Sequence, residues 1–209
     1  MKSNIKKELK KIITNIVYHK IPKVKIINDF LKIINLETPH CFIKHKVVTN
    51  YGKRFSINTL IETGTCVGAM IYAARKKFKK IYSIELSKKL YNFVRKRFAK
   101  YDYINLYQGE SSEILPKILV NINNACVFWL DAHYSGGITV KGESETPIMK
   151  ELNVIFDHPI KNHVILIDDA NLFVGKRDYP TIDQLRKFIY RRRPDLKLSI
   201  KYDVIRIHR

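Results

Sequence analysis

From residue 59 onward the chain alternates between short apolar runs and amphipathic stretches, and this alternation constrains the fold more than any other feature. The apolar runs are Thr59–Thr63, Ile81–Glu85, Ile104–Gln108, Ala125–Leu130 and Val164–Asp168. Helical windows lie near 67–78, 87–99, 111–120, 147–156 and 181–192. Ser87 and Ser111 stand where N-caps of the second and third windows belong, because a serine hydroxyl accepts from an otherwise unpaired N–H of a first helical turn. Strict strand–helix alternation means βαβ units and a parallel sheet. The tail breaks the pattern: Lys197–Lys201 and Val204–Ile207 are separated only by Tyr202 and Asp203, which reads as a hairpin placing an antiparallel strand on that sheet. The expected architecture is α/β, a seven-stranded and mostly parallel sheet with an antiparallel C-terminal hairpin and helices on both faces.

The first part of the chain differs. Ile5, Leu9, Ile12, Ile13, Ile16 and Val17 fall on one helical face, lysines fill much of the remainder, and Pro22 ends the helix. A second apolar-periodic stretch follows, with Val24, Ile26, Ile27, Phe30, Leu31 and Ile34. These read as a helix pair packed on the domain, or as a homodimer contact, a lid, or a basic amphipathic helix on an anionic membrane surface. Residues 36–57 look like a connection with little regular pattern. The expected division is therefore an N-terminal helical extension and connection over 1–57 and a main domain over 58–209.

Composition narrows the partners. Of 209 residues, 39 are Lys or Arg and 19 are Asp or Glu, so the net charge is +20. Such a charge favours encounters with nucleic acid, anionic lipid or acidic glycans, although basic residues scattered along the whole chain also fit a solvated surface. Cys41, Cys66 and Cys126 form no CxxC pair, which argues against a disulfide framework or a zinc site and fits a reducing cytoplasm. The chain contains no run of 18 apolar residues and no signal-peptide core, so a cytoplasmic location is expected.

The chemistry-bearing residues lie at the strand ends. The first strand runs into Glu62-Thr63-Gly64-Thr65-Cys66-Val67-Gly68, where glycines let the backbone turn sharply and approach a ligand. Gly64 and Gly68 are four apart, which is not dinucleotide GxGxxG spacing and disfavours a nicotinamide-dependent reductase. Glu85 ends the second strand, placed to accept both hydroxyls of a ribose. The third strand ends at Gly109-Glu110-Ser111 and the fourth at Asp131. All these ends share the carboxyl edge of the sheet, where open α/β folds bind ligands.

On these residues the chain resembles the class I S-adenosylmethionine-dependent methyltransferases, a Rossmann-like family whose first motif is an acid-x-Gly-x-Gly-x-Gly loop. Glu62, Gly64 and Gly68 match it, and Cys66 replaces the middle glycine. The resemblance covers about residues 59–207, including the terminal hairpin. It implies that Glu62, Gly64, Thr65 and Gly68 border the methionine part of the cofactor, that Glu85 holds its ribose, that Glu110 and Ser111 meet adenine, and that Asp131 closes the cofactor site.

Asp131 sits in Trp129-Leu130-Asp131-Ala132-His133-Tyr134-Ser135-Gly136-Gly137, and Asp168 and Asp169 in Ile165-Leu166-Ile167-Asp168-Asp169-Ala170-Asn171. Three carboxylates from neighbouring strand ends can converge on one hard cation. The segments resemble those of metal-dependent sugar O-methyltransferases of the macrocin O-methyltransferase type. That likeness implies magnesium or manganese on Asp131, Asp168 and Asp169. Asp169 has a second reading as a turn or capping residue. His133, two residues past Asp131, is the natural general base, with Asp131 as its catalytic companion. Tyr134 and the Gly136-Gly137 turn would shape the acceptor pocket. His158 and His163 flank the fifth strand at its amino end, away from these groups, and read as structural.

The expected function is O-methylation of a hydroxylated small-molecule or glycan acceptor, a sugar hydroxyl first among these. The alternatives are an RNA methyltransferase or basic RNA-binding protein, favoured by the charge, and a non-enzymatic membrane-surface or scaffold protein keeping an old fold. Against the RNA enzyme, no Asn-Pro-Pro-Tyr-type motif follows the fourth strand, where Asp131-Ala132-His133-Tyr134 stands instead.

Overall fold

The computed structural model describes residues 39–132 and 145–209, and the structural statements below concern these residues. The strands are β1 (Thr59–Thr63), β2 (Lys80–Glu85), β3 (Ile104–Gln108), β4 (Val127–Leu130), β5 (Val164–Ile167), β6 (Lys197–Lys201) and β7 (Val204–His208). They form one seven-stranded sheet in the order β3-β2-β1-β4-β5-β7-β6. Pairings from β3 through β5 are parallel, while β7 runs antiparallel to both β5 and β6. Tyr202 and Asp203 both take positive φ, as the tight β6–β7 turn requires.

The helices are α1 (Pro39–Arg54), α2 (Ala69–Ala74), α3 (Lys88–Phe98), α4 (Ser111–Leu119), α5 (Ile148–Asp157) and α6 (Ile182–Arg192), with a 3-10 turn at Ala170–Leu172. Each central strand is apolar on both faces because helices cover both. Leu60, Ile81, Val127, Trp129, Val164 and Leu166 face α1, α2 and α3 through Val48, Ile71 and Val94. Ile61, Ile84, Phe128, Leu130, Ile165 and Ile167 face α4, α5 and α6 through Leu115, Leu152 and Leu185. Successive strand residues thus alternate between two cores, each large side chain contributing about 1.5–3 kcal/mol on burial.

Two local readings change. Residues 39–54 are a helix, not an irregular connection. Val47, Val48, Thr49, Asn50 and Gly52 are weak helix formers, so propensity hides the helix, and tertiary packing creates it. Val47, Val48 and Tyr51 are buried against the sheet. Gly52 permits close approach, since a Cβ there would stand 2.6 Å from Phe78 Cζ. Ser87 does cap α3, accepting from Leu90 N–H at 3.4 Å. Ser111 does not cap α4, however: Glu110 is the N-cap residue, without a side-chain cap, and Ser111 is the buried first residue.

His158 and His163 are structural. Cys126 N–H donates to His163 Nδ1 at 3.0 Å, which fixes the proton of the neutral ring on Nε2. That Nε2–H lies 3.0 Å from His158 Nδ1, so His158 carries its proton on Nε2 and donates to Leu119 O at 3.1 Å. Burial, helped by His158 and nearby cations, lowers the His163 pKa to about 3, so the His163 ring is neutral.

The expected N-terminal helices and the segment bearing His133, Tyr134, Gly136 and Gly137 lie outside the described residues. No helix among the described residues is long and apolar enough to cross a membrane.

Candidate functional site

The strand order reverses between β1 and β4, and the expected residues that the structure describes lie along the carboxyl edge of the sheet. Gly64 follows β1 with φ 87°, and a Cβ on it would lie 2.3 Å from the Asp131 carbonyl oxygen. Its N–H and that of Thr65 both donate to Ile84 O, at 3.0 and 3.1 Å, and Asp131 N–H donates to Thr63 O at 3.0 Å. The loop is thus pinned between β2 and β4, with room only for glycine. Cys66, in place of a third glycine, takes φ 50°, a conformation costly for a side-chain-bearing residue. Gly68 (φ 75°) opens α2 against Phe98, where a Cβ would come within 2.6 Å.

Glu85 is tied to this loop. Its carboxylate accepts from Cys66 N–H at 2.7 Å and from Ser87 N–H at 2.8 Å, one bond to each oxygen. Burial raises its pKa while these two donors oppose the rise. Each oxygen keeps a lone pair, so a rigidly held acceptor remains for a vicinal diol. Glu62 is buried and accepts from Ser83, whose hydroxyl also contacts Thr65 Oγ1. Burial, reinforced by Asp131 and Glu85, pushes the Glu62 carboxyl up to about 8. This hydrogen bond ties β1 to β2. Glu110 and Ser111 stand beside β3 at the same edge, as expected.

On the β4–β5 side a cleft is lined by Asp131, Ala132, Thr146, Glu151, Asp168 and Tyr179, floored by Leu130, Ile148, Ile167 and Phe173. Glu151 was not anticipated. It projects from the apolar stripe of α5 between Ile148, Leu152 and Ile155, a position where a lone carboxylate is the sequence signal for a functional or paired group. Burial pushes its carboxyl up to about 7, although the Ser111 and Thr63 hydroxyls beside it favour the charged form. Even so, Glu151 Oε1, Thr63 Oγ1 and Ser111 Oγ have no partner of good hydrogen-bond geometry among the described residues. Buried polar atoms left unsatisfied cost about 1–3 kcal/mol each, which a polar ligand or water would recover.

The three expected metal ligands do not form an open cluster. Lys44 Nζ, from α1, lies 2.6 Å from Asp168 Oδ1 and 2.8 Å from Asp169 Oδ1. Burial works against the lysine charge, but Asp168 and Asp169 overcome it and hold the ammonium well above its usual range. Burial, Asp131 and Asp169 push the Asp168 carboxyl upward, and Lys44 opposes them. Asp169 takes φ 50° ahead of the 3-10 turn, and its N–H donates to Asp168 Oδ1 at 2.8 Å. Among the described residues no group of three His, Cys, Asp or Glu is placed to hold a metal ion, so the magnesium or manganese implied by the sequence likeness does not fit this geometry.

Solved structures share this architecture. An O-methyltransferase from Bacillus cereus, in complex with S-adenosylhomocysteine (SAH), superposes with a TM-score of 0.61 at 11% identity over 97% of each chain. An SAH-bound methyltransferase from Podospora anserina gives 0.57 at 15% identity, over 100% of this chain and 96% of that one. An O-methyltransferase from Streptomyces achromogenes involved in tomaymycin synthesis, in complex with S-adenosylmethionine (SAM), gives 0.57 at 15% over 78% of each. No protein-family model and no curated protein matches the chain. At these identities the likeness concerns the fold, and the fold is the Rossmann-like one of the methyltransferases.

Proposed function

We propose that the chain is an S-adenosylmethionine-dependent O-methyltransferase acting on a hydroxylated acceptor, a sugar of a glycan or glycoside being the first candidate. One observation carries this reading: the glycine loop and the second-strand acid are locked together, with Cys66 N–H on Glu85 Oε2, beside the point where the strand order reverses. The residues fit the cofactor. Gly64 lets the loop turn tightly against the Asp131 backbone, and Glu85 presents a fixed carboxylate suited to ribose hydroxyls. Glu110 and Ser111, at the end of β3, are assigned to adenine by the family resemblance. Bound there, the cofactor supplies a methyl group on a sulfonium. The SAM- or SAH-bound O-methyltransferases with this fold support the same reading.

The chain's own groups would position the acceptor. Methyl transfer is an in-line displacement, so most of the catalysis lies in alignment. Asp131, Thr146, Glu151 and Tyr179 line the cleft with polar groups beside apolar ones, a chemistry that would orient an acceptor hydroxyl. The acceptor proton needs a base; His133, two residues after Asp131 in sequence, is proposed for that role. The test is transfer of radiolabelled methyl from SAM to a panel of sugars and glycosides, with phenols and RNA alongside. Label on a sugar hydroxyl supports the reading. Label on RNA alone replaces it with the nucleic-acid alternative.

A further inference from the structure

The geometry points to Lys44 as a built-in cation that takes the place of a dissociable metal at the Asp168–Asp169 pair, so that this chain works without a divalent ion. As a statement about catalysis the inference rests on the methyltransferase reading; as a statement about the charge of the site it stands by itself.

The placement follows from α1. Lys44, Val47, Val48 and Tyr51 follow i, i+3, i+4, i+7 spacing and share one helical face. Val48 is fully buried, and Val47 and Tyr51 nearly so, which seats this face against the sheet. Lys44 extends the stripe by one turn. Its aliphatic stem continues the packing while its ammonium reaches the carboxyl edge. There it meets both aspartates within hydrogen-bond distance, and its side chain is only 16% exposed. The left-handed turn at Asp169 brings the second carboxylate to the same nitrogen. A magnesium or calcium ion sits roughly 2.0–2.6 Å from its oxygen ligands, so an ion bridging these two oxygens would need the space the ammonium fills. Two cations cannot share it.

The substitution has a chemical consequence. A divalent ion binding the acceptor oxygen would acidify the hydroxyl as well as orient it. An ammonium committed to two carboxylates fixes their positions without binding that oxygen. Lys44 is therefore a positioning residue, and removal of the acceptor proton falls wholly on a protein base.

The test is a manganese(II) titration followed by the electron paramagnetic resonance signal of the free ion. The full-length wild-type chain is compared with Lys44→Met, which keeps the stem and removes the charge. Wild type should leave manganese free into the millimolar range, and Lys44→Met should bind it at least tenfold more tightly. Wild-type methyl transfer should be unchanged in EDTA. Micromolar manganese binding by wild type overturns the inference, as does a Lys44→Met variant that binds no better than wild type. Should Lys44→Met fail to fold, Lys44→Gln provides the same comparison with hydrogen-bonding capacity kept. Calorimetry with SAH on the same samples separates the two levels: a wild type that binds no SAH defeats the methyltransferase reading and leaves the manganese result to be judged alone.

Discussion

Gly64→Ala probes the junction on which the proposed cofactor site depends. The residue has φ 87°, and a side chain in left-handed backbone costs roughly 1–2 kcal/mol. The new methyl would also stand 2.3 Å from the Asp131 carbonyl oxygen and 2.7 Å from its carbonyl carbon. These are backbone atoms with no rotamer to give way. Restoring an ordinary 3.4 Å contact means parting β1 and β4 by about 1 Å. That movement opposes the bond from Asp131 N–H to Thr63 O, while Gly64 N–H is held by Ile84 O on the other side. Overpacking of this kind costs about 1–3 kcal/mol, so the total is about 2–5 kcal/mol. Urea unfolding with a common m-value measures it, and calorimetry with SAH should show cofactor affinity falling at least tenfold. Destabilisation below about 1 kcal/mol with unchanged affinity would refute the reasoning, because the loop would then have slack that the geometry denies.

Three further outcomes are expected. Cys66→Gly relieves a left-handed residue but adds about 0.5–1 kcal/mol of backbone entropy cost, so stability by urea unfolding should change little and the N–H to Glu85 should persist. Glu85→Ala removes a charged acceptor worth about 1.5–3 kcal/mol, a loss of roughly 10- to 150-fold in SAH affinity by calorimetry; unchanged affinity would mean the ribose lies elsewhere. His163 has its pKa depressed by burial to about 3 when folded, against 6.5 unfolded, so its contribution is complete above pH 6.5 and drains away as pH falls toward 3. By pH 5 the loss should be about 2 kcal/mol. Glu62 and Glu151, whose raised carboxyls titrate in the opposite sense, share that range, so the readout is wild type minus His163→Gln across pH 5 to 7.5. A pH-independent difference would show that the pair is charged or solvated.

Much of the architecture could be read from local pattern because the governing physics is local. The strands β1 to β5 are short apolar runs ending in the charged or glycine residues that mark the carboxyl edge, and the Tyr202–Asp203 turn leaves too few residues for anything but a hairpin. The helix α1 escaped because Gly52 and the Val47–Asn50 run disguise it, and what holds it is contact with Phe78 and the sheet. The candidate site divides along the same line. Glu62, Gly64, Gly68 and Glu85 declare themselves by spacing. Asp168 and Asp169 suggested a bound metal ion by sequence, whereas the cation the structure sets against them is Lys44, 125 positions upstream of Asp169 on a helix the pattern did not reveal. Glu151 was legible in principle as a carboxylate inside an apolar stripe, but its orphaned oxygen becomes visible only when α5 meets Thr63 and Ser111.

The central claim is that this carboxyl edge binds S-adenosylmethionine, and isothermal titration calorimetry with SAM and with SAH tests it most directly, with NAD as the competing nucleotide. The account predicts one site per chain for SAM and SAH and none for NAD, accompanied by stabilisation of about 2.7 kcal/mol at a ligand concentration 100 times Kd. No heat and no stabilisation at millimolar SAM or SAH, or saturable binding of NAD in their place, would contradict it.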